Sequence, residues 1–137
     1  MRVSNLLLIV PIMANTALGA IAIYIDEGNG GIVNFSYEAA YWTGPPTDDF
    51  SGDLPGFDTC QIQSPGSSCE VGGYKLTLSA TGVSGCNQGV DVESASIENS
   101  SGDKIENVNG DDRCSEKEYC DVGAVGGFKR NGWVCDF

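Results

Sequence analysis

The chain has 137 residues, with 19 acidic side chains, seven basic ones and no histidine, so its net charge is −12 at pH 7. A surface of that charge repels phosphate backbones and anionic membranes, which argues against binding to nucleic acid or membranes. Without histidine the chain cannot form a Ser-His-Asp triad, a Cys-His dyad or a histidine-ligated zinc site.

The N-terminus has the three parts of a secretory signal peptide. One early charge, Arg2, precedes an apolar run at residues 6–14, and small residues follow from Ala17. The apolar run is shorter than the roughly 20 residues that a bilayer span requires. We predict a signal peptide at 1–19 and one secreted domain at 20–137, with a net charge of −13. Cleavage after Ala22 also fits the small-residue rule, but it would remove more of the first strand pattern.

All six cysteines lie in the predicted secreted domain, at Cys60, Cys69, Cys86, Cys114, Cys120 and Cys135. An even number of cysteines behind a signal peptide predicts a disulfide framework. Metal binding is the alternative, but the chain has no Cys-x-x-Cys and no histidine. We predict one local pair, Cys60–Cys69, across a turn at 64–66, and leave the other pairings open. The cysteines are therefore interpreted as structural, with no metal site and no cofactor.

Alternation of apolar and polar side chains predicts strands at 20–26, 33–42 and 74–81. In 89–98 the apolar positions change from one face to the other, which predicts a bulge near Ser94. The fold class is therefore mainly β, a small disulfide-stabilised antiparallel sandwich or barrel. The alternative is an α+β sandwich with one or two short helices, of which Asp112–Tyr119 is the best candidate, with Asp111 or Asp112 as its cap.

Asn-Gly pairs favour the positive φ angles of tight hairpin turns. Asn29-Gly30 predicts that strand 20–26 folds back on 31–42. Asn131-Gly132 predicts a hairpin of 127–130 with 133–137, which would place Arg130 over the ring of Trp133. A further hairpin loop is predicted at 99–103. The stretch 43–58 has no regular pattern and is predicted to be a long loop, of the kind that is often functional.

Paired carboxylates are the catalytic chemistry that this composition leaves open, because a glycosidase needs one acid and one base or nucleophile. The acidic residues that could supply them are Glu38, Asp48, Asp49, Asp53, Asp58 and Glu70. Among 19 carboxylates such pairs arise by chance, so we assign no catalytic residue and predict that the protein is not an enzyme. Residues 107–112 are rich in oxygen ligands for calcium, but they lack the EF-hand spacing.

Aromatic side chains are the remaining candidates for binding. Tyr41, Trp42 and Trp133 could stack on sugars or anchor a protein partner if they are exposed, although core packing is the commoner role. Two sequons mark possible N-glycosylation, Asn99 in a predicted loop and Asn34 within a predicted strand.

The predicted signal at Met1–Gly19 followed by six cysteines resembles the plan of small secreted cysteine-rich fungal proteins, many of which are effectors. The resemblance covers the whole chain but concerns its architecture alone. Some of these families have killer-toxin-like folds, which is what the α+β alternative would imply. Together with the predicted export, the disulfides, the acidity and the lack of a catalytic set, the resemblance favours a secreted non-enzymatic interaction protein that acts on a host or neighbouring organism, outside the cell or after entry into it. We expect it to be a monomer.

The partner would then be a protein or a cell-wall glycan, with no nucleic acid and no membrane. Two other functions stay open at this point. One is a secreted carbohydrate-binding or carbohydrate-cleaving wall protein, which would expose Trp42 or Trp133 beside a carboxylate-lined groove. The other is a secreted toxin or antimicrobial protein, against which the negative charge counts because most membrane-active toxins are cationic.

Overall fold

The computed structural model describes residues 19–29, 33–43, 50, 57–121 and 127–137, with only the backbone for 29, 33 and 34. Within these ranges the chain forms nine β-strands and no helix. The strands are β1 (Gly19–Asn29), β2 (Val33–Thr43), β3 (Asp58–Ile62), β4 (Ser68–Val71), β5 (Tyr74–Thr81), β6 (Val92–Asn99), β7 (Lys104–Ile105), β8 (Cys114–Asp121) and β9 (Phe128–Asp136).

The strands form two antiparallel sheets. The larger sheet has the order β3-β2-β1-β9-β8, and the smaller has the order β4-β5-β6-β7. β1 and β9 pair along the centre of the larger sheet, from Ala20 opposite Asp136 to Gly28 opposite Phe128. The prediction of a small antiparallel β-sandwich is confirmed.

The main core lies between the two sheets. β1 contributes its odd-numbered isoleucines, and β9 contributes Trp133 and Cys135, because alternate side chains of a strand share one face. The smaller sheet contributes buried residues from β5 and β6. The Nε1 of Trp133 donates a hydrogen bond of 2.8 Å to the carbonyl of Val92, which joins the sheets through a side chain.

The other face of the larger sheet carries a second apolar cluster, in which Tyr24, Trp42 and Phe50 are buried. Arg130 pairs there with Asp26 through two hydrogen bonds of 2.7 and 2.9 Å, and its guanidinium lies 5.2 Å from the centre of the Tyr24 ring. The outer face is therefore a small core of its own rather than a solvated sheet surface.

Three disulfides hold the sandwich, and the described residues contain no free cysteine. Cys60–Cys69 joins β3 to β4, and Cys86–Cys120 joins the β5–β6 connection to β8, so both bridges link the two sheets. Cys114–Cys135 is a cross-strand bridge between β8 and β9. The predicted local pair is thus confirmed, and three disulfides in a domain of this size are compatible with an extracellular location.

Several local predictions are also confirmed. β1 and β2 form a hairpin around Asn29-Gly30, with Asn29 opposite Val33, although 30–32 lie outside the described residues. The register between β5 and β6 shifts at Ser94, where the change of face predicted a bulge. Ile97 pairs with Ile105 on either side of the predicted loop at 99–103.

The predicted hairpin at Asn131-Gly132 is wrong, because these residues lie in the middle of the continuous strand β9. Residues 130 and 133 of one strand point to opposite faces, so Arg130 lies over Tyr24 and Phe128 and not over Trp133. A Cβ at position 132 would collide with the backbone of β1. Gly132 therefore allows β1 and β9 to approach each other closely and does not form a turn.

The predicted helix at Asp112–Tyr119 is also wrong, since most of it belongs to strand β8. Asp111, one of the two residues predicted to cap this helix, instead accepts hydrogen bonds from the backbone and side chain of Arg113 in the turn that precedes β8. Of the predicted 43–58 loop, Thr43 ends β2 and Asp58 begins β3, and most of the rest lies outside the described residues.

The part of the chain that the structure describes has no helix long and apolar enough to cross a membrane. The predicted signal also lies outside it, except for Gly19.

Candidate functional site

A groove runs across one end of the sandwich, where both sheets contribute to its walls. It consists of three adjoining hollows with volumes of about 490, 390 and 580 Å³. The first two share Gly72–Tyr74, and the last two share Asp103 and Phe137. The β4–β5 turn, the β6–β7 loop and the end of β9 therefore border one continuous depression.

Tyr41 enters this groove from the end of β2. Its ring lies between Gly19 and Gly72, and a Cβ at either glycine would overlap the ring. Gly72 and Gly73 have φ angles of +59° and +81° and form the two-residue turn between Val71 and Tyr74. Positive φ angles at both central positions are typical of a type I′ hairpin turn, for which glycine is suited.

Three aromatic rings in contact line the middle of the groove. The ring centre of Tyr41 lies 5.5 Å from that of Tyr74, which lies 5.0 Å from that of Phe137 in an edge-on arrangement. The guanidinium of Arg113 lies 5.2 Å from the centre of the Phe137 ring. All three rings are half-buried and rest against the main core, so the row is held rigidly from below while it borders the groove.

Carboxylates outnumber basic groups along the groove. The acidic residues that line it are Glu70, Glu98, Asp103, Asp112 and Asp136, against the basic residues Lys75 and Arg113. Arg113 is itself neutralised by Asp111, with bonds of 3.0 and 3.1 Å, and by Asp103 at 3.4 Å. Hydrogen bonds from Arg113 lower the pKa of Asp111, while burial and the neighbouring Tyr41 and Asp103 raise the pKa of Tyr74.

Of the three predicted binding aromatics, only Tyr41 lies in the groove. Trp42 is 8% exposed and stacks on Phe57 on the outer face of the larger sheet. Trp133 is 7% exposed in the main core. The tryptophans are therefore packing residues, as the more common role of such side chains suggests, and neither offers a ring face to a ligand.

Tyr74 and Phe137 were not predicted as binding residues. A Gly-Gly pair between two alternating stretches is a recognised hairpin pattern, and it would have placed Tyr74 next to a turn. No comparable pattern marks Phe137, because its place beside Tyr74 depends on how the two sheets pack.

A buried polar cluster occupies the opposite end of the sandwich. Lys129 donates hydrogen bonds of 2.9–3.2 Å to Ser84 and to the carbonyls of Gly85 and Gly89. Asn131 accepts a hydrogen bond from the backbone of Asp91. These contacts, together with the Cys86–Cys120 disulfide, tie the β5–β6 connection to the larger sheet.

Two carboxylates, Glu27 and Asp91, meet in this cluster. Burial, followed by the hydrogen bond and the charge of Asp91, raises the pKa of Glu27 to about 7, although Lys129 and Asn131 act in the opposite direction. Burial also opposes ionisation of Asp91, but hydrogen bonds from Glu27 and Ser84 outweigh this and lower its pKa. The hydroxyl of Ser84 donates to Asp91 at 2.6 Å, so its proton is not directed toward Lys129 as a nucleophilic serine would require. The contacts of this cluster therefore hold the β5–β6 connection against the larger sheet.

The other predicted carboxylates do not converge. Glu38 accepts hydrogen bonds from Tyr24 and Ser36 on the outer face, whereas Glu70 lines the groove and Asp58 is exposed. Asp48, Asp49 and Asp53 lie outside the described residues.

In the calcium candidate at 107–112, Asn107 accepts a bond from the backbone of Asn109, and Asp111 is paired with Arg113. The described residues contain no group of three or more side chains placed to hold a metal ion.

Both sequons can be located, but only one side chain is described. Asn99 ends β6 and borders the first two hollows of the groove. Its Oδ1 accepts hydrogen bonds from the backbone of Ser101 and Asp103. Asn34 pairs with Gly28 in the first hairpin, and its side chain lies outside the described part.

Comparisons with models of protein families, with curated proteins and with solved structures gave no significant match for this chain.

Proposed function

We propose that this protein is a secreted, non-enzymatic interaction protein, effector-like, that acts on a host or neighbouring organism and binds its partner in the groove at the Tyr41 end of the sandwich. The observation that carries the proposal is the row formed by Tyr41, Tyr74 and Phe137. Rings that rest on a rigid core and border a groove supply contact area without a large loss of side-chain entropy on binding.

The covalent framework supports the extracellular part of the proposal. Two of the three disulfides join the two sheets, so the sandwich does not rely on its small core alone. Such bridges persist in oxidising compartments. The apolar run at 6–14 behind Arg2 is the pattern of a signal peptide that would direct the chain there.

A cell-wall glycan is the second candidate partner, and the same aromatic row favours it. Tyrosine rings beside asparagine and serine side chains could hold sugar rings by stacking and hydrogen bonding, and Asn99 and Ser100 border two of the hollows. The tryptophans that a wall-binding protein was expected to expose are buried, so this function would rest on Tyr41 and Tyr74 instead.

The test first measures secretion of the protein and then maps the surface at which it binds a partner. We expect cells that express the full chain to release a shortened, oxidised protein into the medium, with no thiol reactive towards maleimide. Crosslinking of this protein to extracts of candidate hosts should give one recurrent partner. Its crosslinks should map to residues around Tyr74, and Tyr74→Ser should remove them while Lys117→Ala on β8 leaves them unchanged. Retention of the protein in the cell, or a hydrolase activity without any groove-dependent partner, would contradict the proposal.

A further inference from the structure

We infer that the groove accepts an extended, basic segment of a partner polypeptide, with cationic side chains of the segment lying on the aromatic row and between its carboxylates. The inference rests on the proposed function and names the chemistry of its ligand.

The shape of the groove favours a linear ligand. Its three hollows follow one another, joined at Tyr74 and at Phe137, and none of them is a closed pocket for a compact molecule. A chain that lies along the groove would contact the β4–β5 turn at one end and the start of β8 at the other. A peptide in extended conformation offers a side chain to such a surface at every second residue.

The charge of the groove favours a cationic ligand. Its five carboxylates face only two basic side chains, Lys75 and Arg113. Lys75 lies opposite Glu70 on one neighbouring strand and opposite Glu98 on the other, and Arg113 is paired with aspartates. Asp112 and Asp136 are both exposed in the third hollow. The groove therefore has excess negative charge that a neutral glycan would leave uncompensated and that lysine or arginine side chains would match.

The aromatic row adds a second reason for basic side chains. Guanidinium groups bind over the faces of aromatic rings, and Arg113 already does so on Phe137 within the groove wall. Tyr41 and Tyr74 extend the same row, and their rings are half-buried instead of covered. A partner arginine at this point would combine ring contact with the field of Asp103, which lines the same hollow.

The test uses defined probes on the secreted protein obtained from the full chain. Fluorescein-labelled peptides of alternating arginine and alanine, and of alternating glutamate and alanine, are titrated with protein at low salt and at physiological salt. Hexamers of N-acetylglucosamine and of glucose serve as neutral glycan probes. We expect the basic peptide to bind, the acidic peptide not to bind, and the affinity to fall as salt rises.

Matched charge variants distinguish the groove from the general acidity of the chain. Glu98→Gln with Asp136→Asn removes one exposed carboxylate from each end of the groove. Glu93→Gln with Glu116→Gln removes the same charge from exposed positions elsewhere on the sandwich. We expect the substitutions in the groove to weaken binding about three- to tenfold, since exposed charge contacts are individually weak. The control variant, Glu93→Gln with Glu116→Gln, should change the affinity for the basic peptide less than twofold. Tyr74→Ser should also weaken binding, with near-ultraviolet circular dichroism to establish that it is folded.

An equal loss of peptide affinity in the groove double variant and in the control double variant would show non-specific charge attraction and overturn the inference. Binding of a neutral hexamer, dependent on Tyr74 and without binding of the basic peptide, would overturn it in favour of a glycan. Recovery of a host partner that depends on Tyr74 but competes with none of the probes would overturn the basic-segment inference and leave the proposed function standing.

Discussion

The ring of Tyr41 lies directly against the backbone of Gly72, so that the conformation of one β-turn and the position of one groove residue depend on each other. A side chain at Gly72 would have to displace the ring, whereas the neighbouring Gly73 faces open space.

Gly72→Ala should therefore destabilise the protein more than Gly73→Ala. Both substitutions place alanine at a positive φ angle, but only the first also overpacks Tyr41, at a further cost of about 1–3 kcal/mol. Urea denaturation of both variants measures the difference, and Gly73→Ala is the control for backbone strain. Equal stabilities would mean that Tyr41 is not held by the turn.

The ion pair between Arg130 and Asp26 should contribute far more to stability than the one between Arg113 and Asp111. The side chains of the first pair are 9% and 17% exposed, so Arg130→Met leaves a largely buried carboxylate without its partner. We expect a loss of about 3 kcal/mol in the free energy of unfolding.

Arg113→Met serves as the control for this comparison, because its pair is considerably more exposed and should matter little. Thermal or urea denaturation of both variants gives the result. If Arg113→Met lowered the free energy of unfolding as much as Arg130→Met, solvent exposure would not be what determines the contribution of these ion pairs to stability.

The stability of the domain should decrease as the pH rises through about 7, because of Glu27. The folded state raises the pKa of this group above that of an unfolded glutamate, so the protonated form stabilises the fold and ionisation removes that contribution. Glu27→Gln should abolish this decrease and make the variant more stable than wild type at pH 8. Denaturation at pH 5.5 and pH 8.5 measures it, with the exposed Glu116→Gln as the control. A wild-type profile that rises across this range would contradict the assignment.

Removal of the Cys86–Cys120 disulfide should cost more stability than removal of Cys60–Cys69. The two bridges span 34 and nine residues of sequence, respectively. In the chain-entropy description, these spans correspond to about 4 and about 3 kcal/mol. Paired Cys→Ala variants compared by urea denaturation test this, and the reverse order would show that loop length is not what determines the contribution of each bridge.

Glycosylation at Asn99 should reduce binding in the groove, since this residue borders two of its hollows. Secretion from a eukaryotic host should give a protein whose excess mass is removed by peptide N-glycosidase and is lost in Ser101→Ala. The glycosylated form should bind the basic peptide more weakly than the same protein after enzymatic removal of the glycan. Ser36→Ala, which removes the sequon at Asn34, is the control, and equal affinities would place the glycan outside the groove.

Local sequence patterns predicted those elements whose structure is determined locally. The first hairpin, the loop at 99–103 and the shift at Ser94 each follow from side-chain alternation within a few residues. The Cys60–Cys69 pair was predictable because a short turn separates its members.

Long-range packing decided the elements that were predicted wrongly. Asn131-Gly132 has the composition of a turn, but Asn131 is held by Asp91 of the β5–β6 connection, and Gly132 allows the close approach of β1. The stretch 114–121 contains good helix formers, yet its cysteines bond to β9 and to the β5–β6 connection, so tertiary contacts overrode local propensity.

The groove was predictable only in part, for the same reason. Tyr41 was identified because it lies at the end of a clear strand, but its neighbours Tyr74 and Phe137 are 33 and 96 residues further along the chain. No pattern within either segment shows that the three rings come together.

The pairing of β1 with β9 also has a consequence for the order of events during biosynthesis. The centre of the larger sheet pairs residues that are 100 to 116 positions apart in the sequence, so it cannot form on a ribosome that has not yet made residues 128–136. Contacts between such distant segments also make folding slow. Under the proposed secretion, a larger sheet that is still incomplete when synthesis is nearly finished would leave the chain available for a translocation channel, and that sheet and its disulfides would form after transport.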